Sequence, residues 1–388
     1  MAGSAGYIGV ATTALPKGRS IGEKRITRPS MQYIRLAENA FARGVTLYLF
    51  HPHQVDWGKG KVRAWMPENR ARPRGNWVVK MERLPDVVYE NVYVHLAMQG
   101  YTGELRREVS KRKIPLYNPV LPGKWRMVEL LRAHDMSDFT PQTEHLRSAN
   151  QAIDRLNQWN VVYVKPIGGY GGMDVTRVER LGAGRYRVGM DRTKAQTAHM
   201  RMTMTEPELR KWIGPRLRKP HIIQRGLRLI SVSGRKVDFR VVLNRDRAGE
   251  WQLIGIVPKM AARDGVVTNI IAGGERTDVE KLGAIAERQG KRIPLAELES
   301  KAKQIAGVLS KRYPTMGLVG FDMAVEEDLK VSMIEMNPKP ARSLLSKVML
   351  ERLATHTVGF AMYLAKRRAN HPSLASGAEV ADEVSQLL

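Results

Sequence analysis

Residues 320–337 read GFDMAVEEDLKVSMIEMN, two runs of alternating side chains either side of an acidic turn. On a β-strand, neighbouring side chains face opposite sides, so Glu335 and Asn337 share one face while Ile334 and Met336 take the other. On the preceding run Asp322 and Ala324 oppose Phe321, Met323 and Val325. With the turn centred between Asp328 and Leu329, Asp322 lies across from Glu335, their Cβ atoms about 5 Å apart. Two carboxylates and an amide oxygen then converge. Like charges at that distance repel, and a divalent cation would resolve the conflict. An all-oxygen set favours Mg²⁺ (or Mn²⁺) over zinc, with phosphate oxygens completing the shell. The plain alternative is an exposed hairpin that happens to carry acids, but the flanking apolar residues predict a buried one.

The sequence upstream supplies what such a metal would serve. The run VVYVKP predicts a strand ending at Lys165 and Pro166, followed by Gly168, Gly169, Gly171 and Gly172. Glycines so dense let the backbone bend around a ligand and present bare N–H donors to phosphate oxygens. A second strand follows rather than a helix, and G-x-x-x-x-G-K-[ST] is absent, so the loop is neither a P-loop nor a dinucleotide fingerprint. A phosphate-cradling hairpin, a lysine at its mouth and an Asp/Glu/Asn platform are the parts of a site that uses ATP.

The chain is 388 residues long, room for two or three domains. Residues up to about 115 alternate short β-branched runs with helical patterns, which reads as α/β. The piece IPLYNPVLPGKW breaks the periodicity and marks a linker at 115–123. Beyond it come helices at 125–134 and 149–158, then strands, a helix near 206–212, further strands and a long helix at Leu295–Arg312. His51 and His53 flank a proline in an expected loop and read as ordinary surface histidines. The stretch LATHTVGFAMYLA is too short to span a bilayer and reads as a buried helix. With no signal-peptide pattern at the N-terminus, a cytoplasmic location is expected.

Composition excludes several chemistries. There is no cysteine, so disulfide frameworks, thiolate zinc sites and a cysteine nucleophile are ruled out. No G-x-S-x-G or H-E-x-x-H occurs. Lys and Arg number 64 against 38 Asp and Glu, a net charge of +26. Eleven of those cations fall between residues 201 and 240. The excess is otherwise dispersed and no nucleic-acid motif accompanies it, so nucleic acid is not the expected partner. The plain reading is a solvated basic surface, and the other is a polyanionic partner such as an acidic peptide or protein, or a nucleotide.

The ordered motifs resemble a known superfamily. Lys124 with Pro141 and Thr143 downstream, then YVKPIGGYGG, HIIQRGL, VDFRVVL, VVTNIIAGGE and GFDMAVEEDLKVSMIEMNPKPAR, look like the ATP-grasp fold, and more narrowly like the YheC/YheD family of endospore coat-associated proteins. The resemblance implies an α/β (α+β) chain with an N-terminal α/β domain over 1–118, an ATP-grasp small subdomain over 119–225 carrying the glycine loop, a large subdomain with the metal site over 226–370, and a tail over 371–388. It implies that Lys124 and Lys165 contact the ATP phosphates and that the loop of Gly168, Gly169, Gly171 and Gly172 closes over them. The backbone of His221–Arg225, with Gln224 central and Arg225 at its end, would read adenine. Arg240 would neutralise the transferring phosphate, while Asn269 with Gly273 and Gly274 would line the acceptor site. Asp322, Glu335 and Asn337 match the metal ligands. The implied activity is an ATP-dependent carboxylate–amine ligase working through an acylphosphate with Mg²⁺. Its alternatives are a kinase on the same fold and a non-catalytic coat component.

Overall fold

The computed structural model describes residues 6–15, 28–118, 123–168, 174–190, 200–262, 268 and 273–370. Among them the strands form three sheets taken in succession along the chain.

The first sheet contains β1 (Tyr7–Ala11), β2 (Thr46–Asp56), β3 (Lys61–Pro67), β4 (Trp77–Arg83), β5 (Val87–Glu90) and β6 (Leu116–Tyr117), in the order β4-β3-β2-β1-β5-β6. The pairs β1–β2, β1–β5 and β5–β6 are parallel. Helix α1 (Met31–Phe41) makes the crossover from β1 to β2, and buries the stripe Tyr33, Ile34, Leu36, Ala37 and Ala40, spaced at helical periodicity. Helices α2 (Val94–Met98) and α3 (Gly103–Lys111) follow β5. The expected loop at His51–His53 is instead part of β2, whose pairing with β3 is irregular between Phe50 and Val55. That break in the ladder is where a strand can accept a residue such as Pro52, which has no N–H to donate. The expected linker also contains a strand, since β6 lies within it.

The second sheet is antiparallel throughout: β7 (Thr143–His145), β8 (Val161–Pro166), β9 (Thr176–Gly182), β10 (Arg185–Met190), β11 (Met200–Thr205) and β12 (His221–Arg225), in the order β11-β10-β9-β8-β12-β7. Helix α4 (Lys124–Arg132) precedes it, and α5 (Ala149–Trp159) and α6 (Glu206–Ile213) cover it with Ile153, Leu156, Leu209 and Ile213. Thr205 and Glu208 form a capping box at the start of α6.

The third sheet contains β13 (Ser231–Val232), β14 (Arg235–Arg245), β15 (Trp251–Met260), β16 (Glu275–Arg276), β17 (Leu318–Val325) and β18 (Val331–Asn337), in the order β16-β15-β14-β17-β18, with β13 on β14. Helices α7 (Val279–Arg288) and α8 (Leu295–Arg312) bury one face against Val237, Phe239, Val241 and Leu243 of β14 and Phe321 and Met323 of β17. Met127 and Leu131 of α4 join this core. The opposite face divides in two. Toward Val242 and Leu318 it is apolar and packs into a core shared with the first sheet and with Leu353, Val358 and Phe360 of helix α9 (Lys347–Asn370). Toward Arg240 and Asp238, two and four residues back along the same side of β14, it is charged. No helix among the described residues is long and apolar enough to cross a membrane.

Candidate active site

The charged half-face is assembled by strand register. Arg240 of β14 pairs with Asp322 of β17, and Asp322 in turn with Glu335 of β18. Near the turn the pairing is Val325 with Val331, which centres the hairpin on Asp328 rather than between Asp328 and Leu329. A register shift between Asp322 and Met323 then adds one residue and brings Asp322 opposite Glu335. Leu329 adopts φ 67°, the left-handed conformation that closes the loop.

Asp322 is neutralised by the protein itself. Arg240 Nε and Nη2 donate to its two oxygens at 2.7 and 2.9 Å, a bidentate fork. Lys259 Nζ lies 2.9 Å from Asp322 and 3.1 Å from Asp238. Asn337 Nδ2 donates to Asp322 Oδ2 at 3.2 Å, and Thr268 donates its hydroxyl to Asp238. Burial by itself would raise the Asp322 carboxyl, but Arg240 and Lys259 hold it well below the carboxylate range. For Asp238 burial wins, and its carboxyl is raised despite Lys259. The repulsion expected between Asp322 and Glu335 is therefore relieved by cations already present, and charge alone does not call for a metal.

The donor chemistry still suits a hard cation. Asp322, Glu335 and Asn337 offer only oxygen, and Glu335 is more accessible than Asp322, its side chain 28% exposed with Lys124 Nζ 3.5 Å away. A cation taken up by Asp322 competes with the Arg240 fork. No group of three or more His, Cys, Asp or Glu with metal-ligating geometry occurs among the described residues, so any such site needs the amide of Asn337 and oxygens from elsewhere.

The second sheet contributes Lys165, at the end of β8. It is buried, and its Nζ donates to Gln224 Oε1 at 2.5 Å. Burial, reinforced by Lys124, lowers its ammonium to about 8, while Glu335 and Asp322 pull the other way. Together Lys124, Lys165, Arg240 and Lys259 face Asp238, Asp322 and Glu335, an arrangement with a cation to spare for an anionic ligand.

The residues expected at the site are placed unevenly. Lys124, Lys165, Arg240, Asp322, Glu335 and Asn337 come together. Gln224 lies within the sheet between β7 and β8, its backbone paired on both sides, so its side chain is what reaches the site. Arg225 forms an ion pair with Glu326 at 3.4 Å, and its N–H goes to Gln142 O. Gly168 begins the β8–β9 turn with open space where a Cβ would stand. Gly273 has φ +86° and Gly274 is buried, just before β16. Gly169, Gly171, Gly172 and Asn269 lie outside the described residues. Lys259 and Thr268 are central here, yet Thr268 carries no sequence signal and Lys259 fits the basic position of the resemblance only loosely. The available signal was Lys259's place on β15, opposite Asp238.

Three successive sheets, with a cationic, carboxylate-bearing face on the third meeting Lys165 at the end of β8, define an ATP-grasp protein. The model of the YheC/D-like ATP-grasp family matches residues 113–366, and the chain belongs to that family. Endospore coat-associated protein YheD of Bacillus subtilis (strain 168) is 26% identical over 340 residues, covering 84% of this chain and 72% of that protein. YheC of the same organism is 20% identical over 324 residues, covering 82% and 86%. Among solved structures, D-alanyl-alanine synthetase A from Vibrio cholerae O1 biovar eltor str. N16961 superposes with a TM-score of 0.50 at 9% identity, covering 94% of this chain and 98% of that one, a likeness of fold.

Proposed function

We propose that the chain is an ATP-dependent carboxylate–amine ligase working through an acylphosphate. The observation that carries this reading is the convergence of Lys124 of α4 and Lys165 of β8 with Arg240, Lys259, Asp322, Glu335 and Asn337 of the third sheet. A substrate carboxylate oxygen attacks the γ-phosphorus and ADP leaves; an amine then attacks the acyl carbon and phosphate leaves. Lys124 and Lys165 hold the phosphates, and Arg240 offsets charge on the phosphoryl group in flight, the main demand of such a transfer. Gly168, Gly169, Gly171 and Gly172 cover the phosphates, while Asn269, Gly273 and Gly274 line the acceptor side. A Mg²⁺ or Mn²⁺ ion held by Asp322, Glu335 and Asn337 would supply further neutralisation at the phosphates. No side chain need act as a covalent nucleophile, in keeping with a chain that has no cysteine.

The +26 charge supports an acidic acceptor such as a glutamate-rich peptide or coat protein, and the names of both curated relatives point to the endospore coat. Incubation with Mg-ATP and pooled amino acids or acidic peptides, followed by mass spectrometry, should yield an ATP-dependent condensation product that Glu335→Gln abolishes. A phosphorylated product without a condensed one would make the chain a kinase. Nucleotide binding with no ADP release on any substrate would make it a non-catalytic coat component. Apparent affinity for the acceptor should fall with rising ionic strength, and an unchanged affinity would remove the acidic-partner reading.

A further inference from the structure

Thr143 of β7 and Gln224 of β12 are cross-strand partners, both buried, at 1% and 4% exposure. The Thr143 hydroxyl has a single proton, donated to the carbonyl oxygen of Pro141 at 2.7 Å. Toward Gln224 the hydroxyl can therefore only accept. Gln224 Nε2 donates to it at 2.9 Å, which turns Gln224 Oε1 the other way. That oxygen accepts from Lys165 Nζ. Each bond sets the direction of the next, and the first partner is a backbone carbonyl that cannot reverse. Reversal of the Gln224 amide would point its NH₂ at an ammonium in a buried site, where an unmatched donor is costly.

We propose that Thr143 and Gln224 are positioning residues that aim the Lys165 ammonium at the nucleotide phosphates and help keep it charged. This rests on the reading above that Lys165 contacts phosphate. A lysine is a flexible point charge whose buried ammonium is easily lost, so a fixed acceptor at its tip supplies both direction and a preference for the charged form. The charged and titratable groups facing Lys165 are Glu335 from β18, Asp322 from β17 and Lys124 from α4, together with the ring of Tyr163 on its own strand, 5.6 Å away.

The test is calorimetric binding of ADP with Mg²⁺ to the full chain, from pH values below the lysine's value of about 8 to values above it. Affinity of the unsubstituted protein should fall as pH rises through that value, because the ammonium gives up its proton. Thr143→Val and Gln224→Leu should bind about tenfold more weakly at neutral pH, the scale of one hydrogen bond to a charged group. Both should also move the fall to lower pH. Thr143→Ser should restore both properties. Gln224→Glu, nearly isosteric and so expected to fold, should move the fall to higher pH. Lys165→Met should weaken binding at neutral pH and remove the pH-dependent fall, so that the two proteins converge at high pH. If Lys165→Met weakens binding while Thr143→Val and Gln224→Glu leave affinity and pH profile as they were, the positioning role is wrong and the lysine's role stands. If Lys165→Met itself binds normally, the phosphate contact is refuted and the positioning role with it.

Discussion

Two buried ionic clusters in this molecule look alike in composition and differ in their surroundings. In the first, Glu90 at the end of β5 is fully buried and accepts a fork from Arg106 Nε and Nη2, both at 2.8 Å, while Lys339 lies 2.9 Å from the same carboxylate and also donates to Val92 O. It joins the first sheet, α3 and the segment that follows β18. The second is the Asp238–Lys259–Asp322–Arg240 group, also buried, but continued to the surface by Glu335 and Lys124, which are 28% and 18% exposed. Buried charge of itself therefore does not mark a site. What distinguishes the second cluster is a rim that a ligand can reach, with Lys165 buried beside it.

This contrast predicts that loss of charge in the first cluster costs stability and in the second costs function. Glu90→Gln, which leaves Arg106 and Lys339 uncompensated, should lower unfolding free energy by about 3–5 kcal/mol in denaturant melts. Burial acts to raise the Glu90 carboxyl, but Lys339 and Arg106 overcome it and lower it to about 2. A folded-state value below the ordinary 4.5 means that its contribution is full above 4.5 and is lost as pH falls toward 2. Stability measured between neutral and mildly acid pH should therefore owe nothing to this group's titration. Glu335→Gln should reverse the pattern, with ADP release reduced about a hundredfold or more and a melt little changed. A melt that collapsed would move Glu335 into the structural class.

Smaller changes test finer parts of the comparison. A Cβ at Gly320 would come within 2.8 Å of Pro340 and 3.0 Å of Arg240 Cδ, so Gly320→Ala should cost about 1–3 kcal/mol of stability and disturb the Arg240 fork as well. Arg240→Lys keeps the charge but loses the fork, and turnover should drop about tenfold with little loss in the melt. The Arg74–Glu38 pair lies on the surface, the arginine 67% exposed. Arg74→Gln should leave stability within about 0.5 kcal/mol, since solvent already screens that pair.

Much of the candidate site could be read in the sequence because it follows strand alternation. Asp322, Glu335 and Asn337 occupy one face by period-two counting, and Lys165 with Gly168 marks a strand running into a turn. The cross-strand pairing was anticipated through the wrong turn centre, and a bulge beside Asp322 compensated, a local irregularity with no residue signature in FDMAV. Long helices with a continuous apolar stripe were also legible, α8 to its end residues. Shorter or mixed segments were not. The strand at Lys61–Pro67 and helix α7 are not among the elements marked from sequence, although Val62, Ala64 and Met66 alternate and Val279, Leu282 and Ala286 recur at helical spacing, and Pro52 made β2 look finished at Phe50.

The chain alone determined which side chains share a face and that a cluster of oxygen-bearing side chains lies downstream of a glycine-rich run, because the first depends only on the geometry of an extended backbone and the second on residue order. The tertiary structure decided which charges meet. Arg240 and Asp322 are 82 residues apart and Glu90 and Lys339 are 249 apart, and no local periodicity encodes such pairings. They are set by the order of strands in the sheets and by the exclusion of water, which makes an unpaired buried charge too costly to leave alone.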